Sequence, residues 1–219
     1  MAKLVIVGAG DIARLAHDYF RRDSEHEVVG FAVDRAYLQA DAFEGLPLVA
    51  TDEMRARFPP EGYKAFVALS YSKMNRRRAA KYHEAKALGY ELVSYVSRRC
   101  SYLSELPPGD NCLILEDNTI QPFVRIGNDV TLWSGNHVGH DSVIADHCFI
   151  SSHVVISGHV RIAPFCFIGV NATLHNSITL GEATLVGAGA VIARDTEPGS
   201  VYVPRRAERL PKTSDEIDL

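Results

Sequence analysis

Every sixth residue from Ile114 to Ile192 is aliphatic: Ile114, Ile120, Ile126, Leu132, Val138, Ile144, Ile150, Ile156, Ile162, Ile168, Leu174, Leu180, Val186 and Ile192, without one insertion. A period of six fits neither an α-helix, which repeats every 3.6 residues, nor a stack of hairpins. It is the signature of a hexapeptide β-helix, in which three short strands make one triangular coil and the aliphatic residues point inward. The fourth position of each hexad is mostly small or β-branched (Val130, Ser142, Cys148, Val154, Cys166, Ala172, Ala190), and the first is often Gly or Ala (Gly127, Gly139, Gly169, Gly187), which eases the corners. Residues one coil apart should stack about 4.8 Å along the axis. That stacking puts Cys112, Val130, Cys148 and Cys166 in one inward column, as small buried hydrophobes with no redox or metal role.

Before Leu106-Pro107-Pro108-Gly109 the pattern is different. Lys3–Val7, Glu27–Val33 and Lys64–Leu69 are apolar runs of strand length, and Leu92–Val96 is a candidate fourth. Asp11–Arg22 carries Ile12, Leu15, Ala16 and Tyr19 at helical spacing, and Ser72–Leu88 predicts a long helix closed by Gly89. Strand, helix and strand in this order predict a parallel sheet with right-handed crossovers. The expected architecture is therefore α/β plus all-β. A small Rossmann-like parallel-sheet domain (1–97) precedes a left-handed parallel β-helix of hexapeptide repeats with a C-terminal tail (98–219).

Composition narrows the function classes. The 219 residues are 47% hydrophobic and 23% charged, with a formal charge of −4, so no global basic field is available for nucleic acid. No apolar run is long enough to span a bilayer. The glycines of MAKLVIVGAG arrive too early for a signal peptide, so the expectation is a cytoplasmic protein without membrane insertion. The four cysteines form no CxxC pair and are expected as free thiols.

Six of the nine histidines lie in the repeat region. A zinc site of the kind found in β-helical carbonic anhydrases needs two histidines two coils apart. The positions 36 residues after His137, His140, His147 and His153 are Thr173, Asn176, Ala183 and Gly189, so no metal is expected. His140 stands at an outward corner in Val138-Gly139-His140-Asp141-Ser142, with Gly158 one coil below leaving space beside the imidazole. An exposed histidine next to a carboxylate has the chemistry of a general base near neutral pH. The other repeat-region histidines are expected as solvated or interface residues. Trp133 and Asn136, just before it, are candidates for contact with a substrate.

The chain resembles the sugar O-/N-acyltransferases of the sialic-acid O-acetyltransferase type, which include bacterial nucleotide-aminosugar N-acetyltransferases of the hexapeptide-repeat family. The resemblance rests on Val5-Ile6-Val7-Gly8-Ala9-Gly10, on Gly139-His140-Asp141-Ser142, and on Ile168-Gly169-Val170-Asn171-Ala172 with Val186-Gly187-Ala188-Gly189-Ala190. It implies a homotrimer, acetyl-CoA as co-substrate between adjacent subunits, and a nucleotide-linked amino sugar held by the N-terminal domain for surface-polysaccharide or lipopolysaccharide precursor synthesis. It implies His140 as the base, Asp141 as its orienting partner, and an acetyl-CoA channel near Gly158, Gly169, Val170, Gly187, Ala188 and the basic Arg205. Two departures stand out. Some relatives carry a second histidine nine residues after the base, where this chain has Phe149, and the usual Val-Pro-Ala-Lys ending reads Val203-Pro204-Arg205-Arg206.

The N-terminal Gly8-Ala9-Gly10-Asp11-Ile12-Ala13 follows a strand and opens a helix, the context a phosphate loop needs. About 97 residues hold only half a dinucleotide fold, which suits one nucleoside diphosphate with its sugar projecting away. Gly8, Gly10, Asp11 and Ile12 are the expected loop contacts, with Asp34 and Arg35 at the end of the second strand and Ser70 and Lys73 at the end of the third. Arg76-Arg77-Arg78 is expected as a solvated helix face. Alternative readings are a sugar O-acetyltransferase and a non-catalytic β-helical scaffold.

Overall fold

A computed structural model describes residues 2–209, 211 and 213–217. The N-terminal part builds β1 (Lys3–Val7), α1 (Asp11–Asp23), β2 (Glu27–Val33), β3 (Ala42–Phe43), β4 (Leu46–Ala50), α2 (Thr51–Arg57), β5 (Tyr63–Val67) and α3 (Arg76–Ala87). The sheet order is β3-β4-β2-β1-β5, parallel except for the β3–β4 hairpin. Strand β1 is central and covered on both faces, which is why it reads as a continuous apolar run. Leu4 and Ile6 pack on the α1 side with Ala13, Ala16 and Phe20, while Val5 and Val7 pack with Met54, Tyr82 and Ala85 of α2 and α3.

Several local expectations shift. Helix α1 buries Ala13, Ala16 and Phe20 and leaves Leu15 exposed, so its inward stripe is rotated by one residue from the one expected. The long helix begins at Arg76, because Lys73, Met74 and Asn75 all take left-handed backbone angles (φ 52°, 52° and 63°). Its end at Gly89 is as expected, with φ 93°. Leu92 makes only a single bridge to Ala65, and Tyr95–Val96 pairs with Leu113–Ile114, so that segment is the first rung of the next element. The β3–β4 hairpin and α2, missed in the sequence, fill the Asp41–Arg57 stretch.

From Tyr95 the chain winds as a three-sided prism of paired parallel two-residue strands. All fourteen aliphatic positions of the six-residue series are buried. The residue three before each of them, from Asn111 to Gly189, has positive φ (54° to 77°) without exception. Asn, Asp and His fill eight of these fourteen positions, and they are enriched in that conformation. The inward cysteine column is confirmed: Cys112, Cys148 and Cys166 are fully buried, and burial pushes the Cys112 thiol up to about 12.

One face of the prism carries Leu113, Thr131, Phe149 and Phe167 outward and is covered by the N-terminal domain; we call it the covered face. A second, neutral face presents Ser101, Thr119, His137, Val155, Thr173 and Val191, with no Lys, Arg, Asp or Glu. A third, basic face presents Arg125, Val143, Arg161 and Thr179.

The join between the two parts is polar and buried. Arg78 (2% exposed) donates from Nε to Asp129 Oδ1 (3.0 Å) and from Nη2 to the carbonyls of Asp129 (2.8 Å) and Cys148 (3.1 Å). Asn111 bridges Asp129 Oδ1 (2.7 Å) to both the N–H and the carbonyl of Val67 in β5. The basic run divides: Arg76 and Arg77 are exposed, as expected of a helix face, with Arg76 over the Phe165 ring, whereas Arg78 is an internal tie. Among the described residues no helix is long and apolar enough to cross a membrane.

Candidate functional site

His140 stands on the prism edge between the neutral and basic faces. Its backbone N–H donates to Gln121 Oε1 (2.8 Å) on the coil above. Gly139 has to be glycine, since a Cβ there would lie 2.5 Å from the Ser157 carbonyl carbon. His140 Nδ1 sits 2.8 Å from Asp141 Oδ2, and both side chains are about half exposed (53% and 42%). A carboxylate only accepts, so Nδ1 is the donor in this contact, which in the neutral imidazole leaves the lone pair on Nε2. His140 Nε2 leans over Gly158, where a Cβ would come within 2.8 Å of it. The space beside the imidazole is therefore filled by the ring itself rather than left open, and the glycine is what allows that pose.

This geometry makes a specific prediction. Gly158→Ala adds no backbone strain, because Gly158 is not at positive φ, but its methyl displaces the imidazole. If His140 is the reacting group, turnover is expected to fall by roughly 10–100-fold, since small misplacements of such a group are that costly. A melting curve unchanged from wild type, alongside steady-state rates, checks that only the site has moved.

His159 lies directly below. Its ring meets the His140 ring edge to face at 4.9 Å, and its Nε2 is 3.9 Å from Asp141 Oδ2. The donor atoms of His140, Asp141 and His159 all fall within 4.8 Å of one another. A search at two-coil spacing passes over this trio, because the histidines are one coil plus one residue apart. Within one chain Trp133 and Asn136 lie on a different edge of the prism from His140. Asn136 points inward: its Nδ2 donates to Trp133 O (2.5 Å), its Oδ1 accepts from the Val154 N–H (2.7 Å) and its backbone N–H donates to Asn118 Oδ1 (3.1 Å), while Trp133 packs on the N-terminal domain core. Phe149 is buried on the covered face beneath Tyr71 (rings 4.9 Å apart), on a different side of the prism from His140.

The second feature is a cavity of about 640 Å³ at the carboxyl edge of the N-terminal sheet. It is lined by Gly8, Gly10, Asp34 and Ser70 from the expected set, and by Tyr37, Thr51, Arg77 and Lys81, which sequence reasoning did not single out for it. Gly8 (φ 133°) is forced by the close approach of Ala68, whose carbonyl a Cβ would meet at 2.6 Å. Asp34 accepts from Thr51 Oγ1 (3.0 Å) and pairs with Lys81. Burial works against the Lys81 charge, but the hydrogen bonds to Asp34 and Glu84 outweigh it and hold the ammonium above its ordinary value. Arg77 and Lys81 are one turn apart on α3, so both face the glycine loop. Four expected contacts lie outside the lining. Asp11 is solvent-exposed beside Arg14 (3.3 Å). Ile12 packs on the N-terminal core. Arg35 is paired with Asp52 (2.8 Å) and Glu53 (2.7 Å), and Lys73 sits in the left-handed turn before α3.

The cavity and His140 lie far apart within one chain. The N-terminal domain sits on the covered face, and His140 is on the opposite edge. The residues expected along an acetyl-CoA channel are likewise divided. Gly158 shares the His140 edge, whereas Gly169, Val170, Gly187 and Ala188 stack on the edge between the covered and neutral faces, with the backbone atoms of Gly187 and Ala188 pressed against Gly169. Arg205 is exposed beyond the last rung. Only the neutral face separates these two edges.

Residues 123–158 match the family described as bacterial transferase hexapeptide (six repeats). Over 92% of this chain and 96% of theirs, the fold is similar to the acetyltransferase domain of PglB from Neisseria gonorrhoeae (25% identity, TM-score 0.80), which has also been solved in complex with acetyl coenzyme A. The fold is also that of PerB from Caulobacter crescentus, solved in complex with CoA and GDP-perosamine (23% identity, TM-score 0.77, 92% and 93% coverage). Among curated proteins it is similar to the acyl-[acyl-carrier-protein]–UDP-N-acetylglucosamine O-acyltransferase of Nautilia profundicola, 29% identical over 112 residues; that match takes in 48% of this chain and 43% of the relative's length.

Proposed function

We propose that this hexapeptide-repeat protein is an acetyl-CoA-dependent N-acetyltransferase that acts on a nucleotide-linked amino sugar. The observation that carries the reading is the His140–Asp141 pair, proton-bearing at Nδ1 and basic at Nε2, on a prism edge bordered by small residues. The acetyl-CoA complex of the PglB domain, which spans nearly the whole fold, supports the donor. In this reading the attacking amine loses its proton to His140 Nε2 as its nitrogen bonds to the thioester carbonyl carbon. The tetrahedral oxyanion collapses, the C–S bond breaks, and the CoA thiolate takes up the proton. No acyl-enzyme is formed, because Cys112, Cys148 and Cys166 are buried, and the partly buried Cys100 packs against the prism core two coils from the His140 rung.

The nucleotide is assigned to the 640 Å³ cavity, with its diphosphate between the glycine loop and the Arg77/Lys81 pair. Since cavity and base are on opposite sides of one chain, the sugar reaches His140 of a neighbouring copy. The neutral face is the surface on which three copies pack, which brings the His140 edge of one prism toward the Gly169–Ala188 edge of the next and closes the acetyl-CoA channel between them.

The test is a panel of nucleotide-linked amino sugars incubated with acetyl-CoA, following thiol release. Transfer to an amine supports the reading, whereas transfer only to hydroxyl acceptors, or no consumption of acetyl-CoA, overturns it. For the cavity, nucleoside diphosphates should raise the melting temperature of the wild type by mass action. Arg77→Ala should weaken that binding about tenfold, or ~1.4 kcal/mol. An equal shift in Arg77→Ala and wild type places the diphosphate elsewhere.

A further inference from the structure

The prism holds two aspartates above two histidines with the same backbone geometry. Asp129 and Asp141 both occupy the left-handed corner position (φ 54° and 59°), and His147 and His159 occupy the same position one coil below (φ 61° and 60°). At the buried corner against the N-terminal domain the pair is closed: His147 Nδ1 lies 2.8 Å from Asp129 Oδ2. At the exposed corner it is open, with His159 Nε2 at 3.9 Å from Asp141 Oδ2. The backbone at both corners is pinned alike, since His147 N–H donates to Asn128 O and His159 N–H to His140 O, each at 2.9 Å. The corner backbone therefore allows an i+18 histidine to reach the carboxylate above it, as it does at the buried Asp129–His147 pair.

We propose that His159 is a positioning residue whose ring turns to close on Asp141 through Nδ1 when the site is loaded, as His147 is closed on Asp129. The proposal rests on the reading of His140 as base and adds a third member to its dyad. Asp141 Oδ2 is the oxygen that already holds His140 Nδ1. An exposed aspartate at a corner is otherwise free to rotate, and its rotation would release the imidazole from the tautomer and pose that leave Nε2 basic. A donor from below fixes the carboxylate between two imidazoles. Contacts of this kind are commonly long in unliganded sites and shorten in the complex. The edge-to-face packing of the two rings at 4.9 Å adds a steric wall on the same side. The relatives' histidine nine residues past the base has no counterpart here. His159 supplies an imidazole to the site from a different coil, because Phe149 faces the covered side.

Two substitutions separate positioning from mere structure. His159→Asn keeps a donor at the reach of an imidazole Nδ1, the atom that His147 uses, in a residue that accepts positive φ. His159→Phe keeps the ring but removes the donor, and the corner tolerates it because Phe165 already occupies the equivalent place one coil below His147 at φ 63°. With the full chain loaded with CoA, the low-field proton resonance of His140 Nδ1–H, assigned by its loss in His140→Asn, should persist in wild type and His159→Asn and be lost to exchange in His159→Phe. If the protein transfers acetyl groups, His159→Phe should lower kcat about tenfold with both KM values unchanged, a part of the ~10²–10⁴ that a positioned base contributes, and His159→Asn should recover most of it. A His159→Phe protein with wild-type resonance and kcat overturns the proposal, and so do equal losses in the two variants at unchanged melting temperature. A wild type that transfers no acetyl group removes the proposed activity, yet the resonance comparison still decides the clamp.

Discussion

His140→Asn is expected to lower kcat by a factor of about 10²–10⁴, the usual contribution of a positioned general base. The substitution is a narrow one. Asparagine places an amide nitrogen near the position of imidazole Nδ1, so the 2.8 Å contact to Asp141 has a replacement donor. What disappears is the lone pair at Nε2, over Gly158. The side chain is half exposed and belongs to no hydrophobic cluster, so melting temperature and acetyl-CoA affinity should stay near wild type. Rates from thiol release at saturating donor and acceptor make the measurement. Near-wild-type turnover would mean that the amine sheds its proton elsewhere, and it would remove His140 from the chemistry.

Arg78→Ala carries the largest expected effect on stability, about 3–5 kcal/mol. The guanidinium and the Asp129 carboxylate are both buried, and removing the cation leaves the anion in a buried interface with only Asn111 and His147 as donors. The Asp129 carbonyl loses its donor as well, and the Cys148 carbonyl keeps only the Thr131 N–H. The paired change Arg78→Met with Asp129→Asn should recover much of that loss, because it withdraws both charges and fills the volume. Chemical denaturation of the three proteins checks it. If the double variant is no more stable than Arg78→Ala, the cost lies in lost packing around α3 rather than in a stranded carboxylate.

The prism was legible from a single periodicity because each inward aliphatic position faces the same environment in every coil. The left-handed corner was not, although it repeats just as strictly, because Phe123, Ala183 and Ser177 serve there beside Asn and Asp and no residue type marks it. The β3–β4 hairpin escaped notice because its strands are short and partly exposed, and Pro47 sits within β4. In the candidate sites, His140, Asp141, Gly8 and Asp34 were visible as neighbours in sequence or as ends of apolar runs. Arg77 and Lys81 were hidden by a basic run whose three arginines point three different ways, and only the packing of α3 tells them apart. His159 was hidden for another reason. Its partner is one coil away, and adjacency across a coil is a property of the winding rather than of the chain.

The strict hexad also acts as a ruler on what lengths this molecule can have. Deleting one residue between Ile114 and Ile192 would turn every later aliphatic side chain off the core, as a one-residue slip does in any sheet with a single buried face. Removing or duplicating a whole coil leaves each column in register and changes the height of the prism by about 4.8 Å. The distance between the rung that carries His140 and the rung where Arg78 anchors the N-terminal domain is therefore adjustable only in whole steps. Variants of this architecture that accept longer or shorter substrates should differ by whole coils, while the loops at the corners take up everything finer.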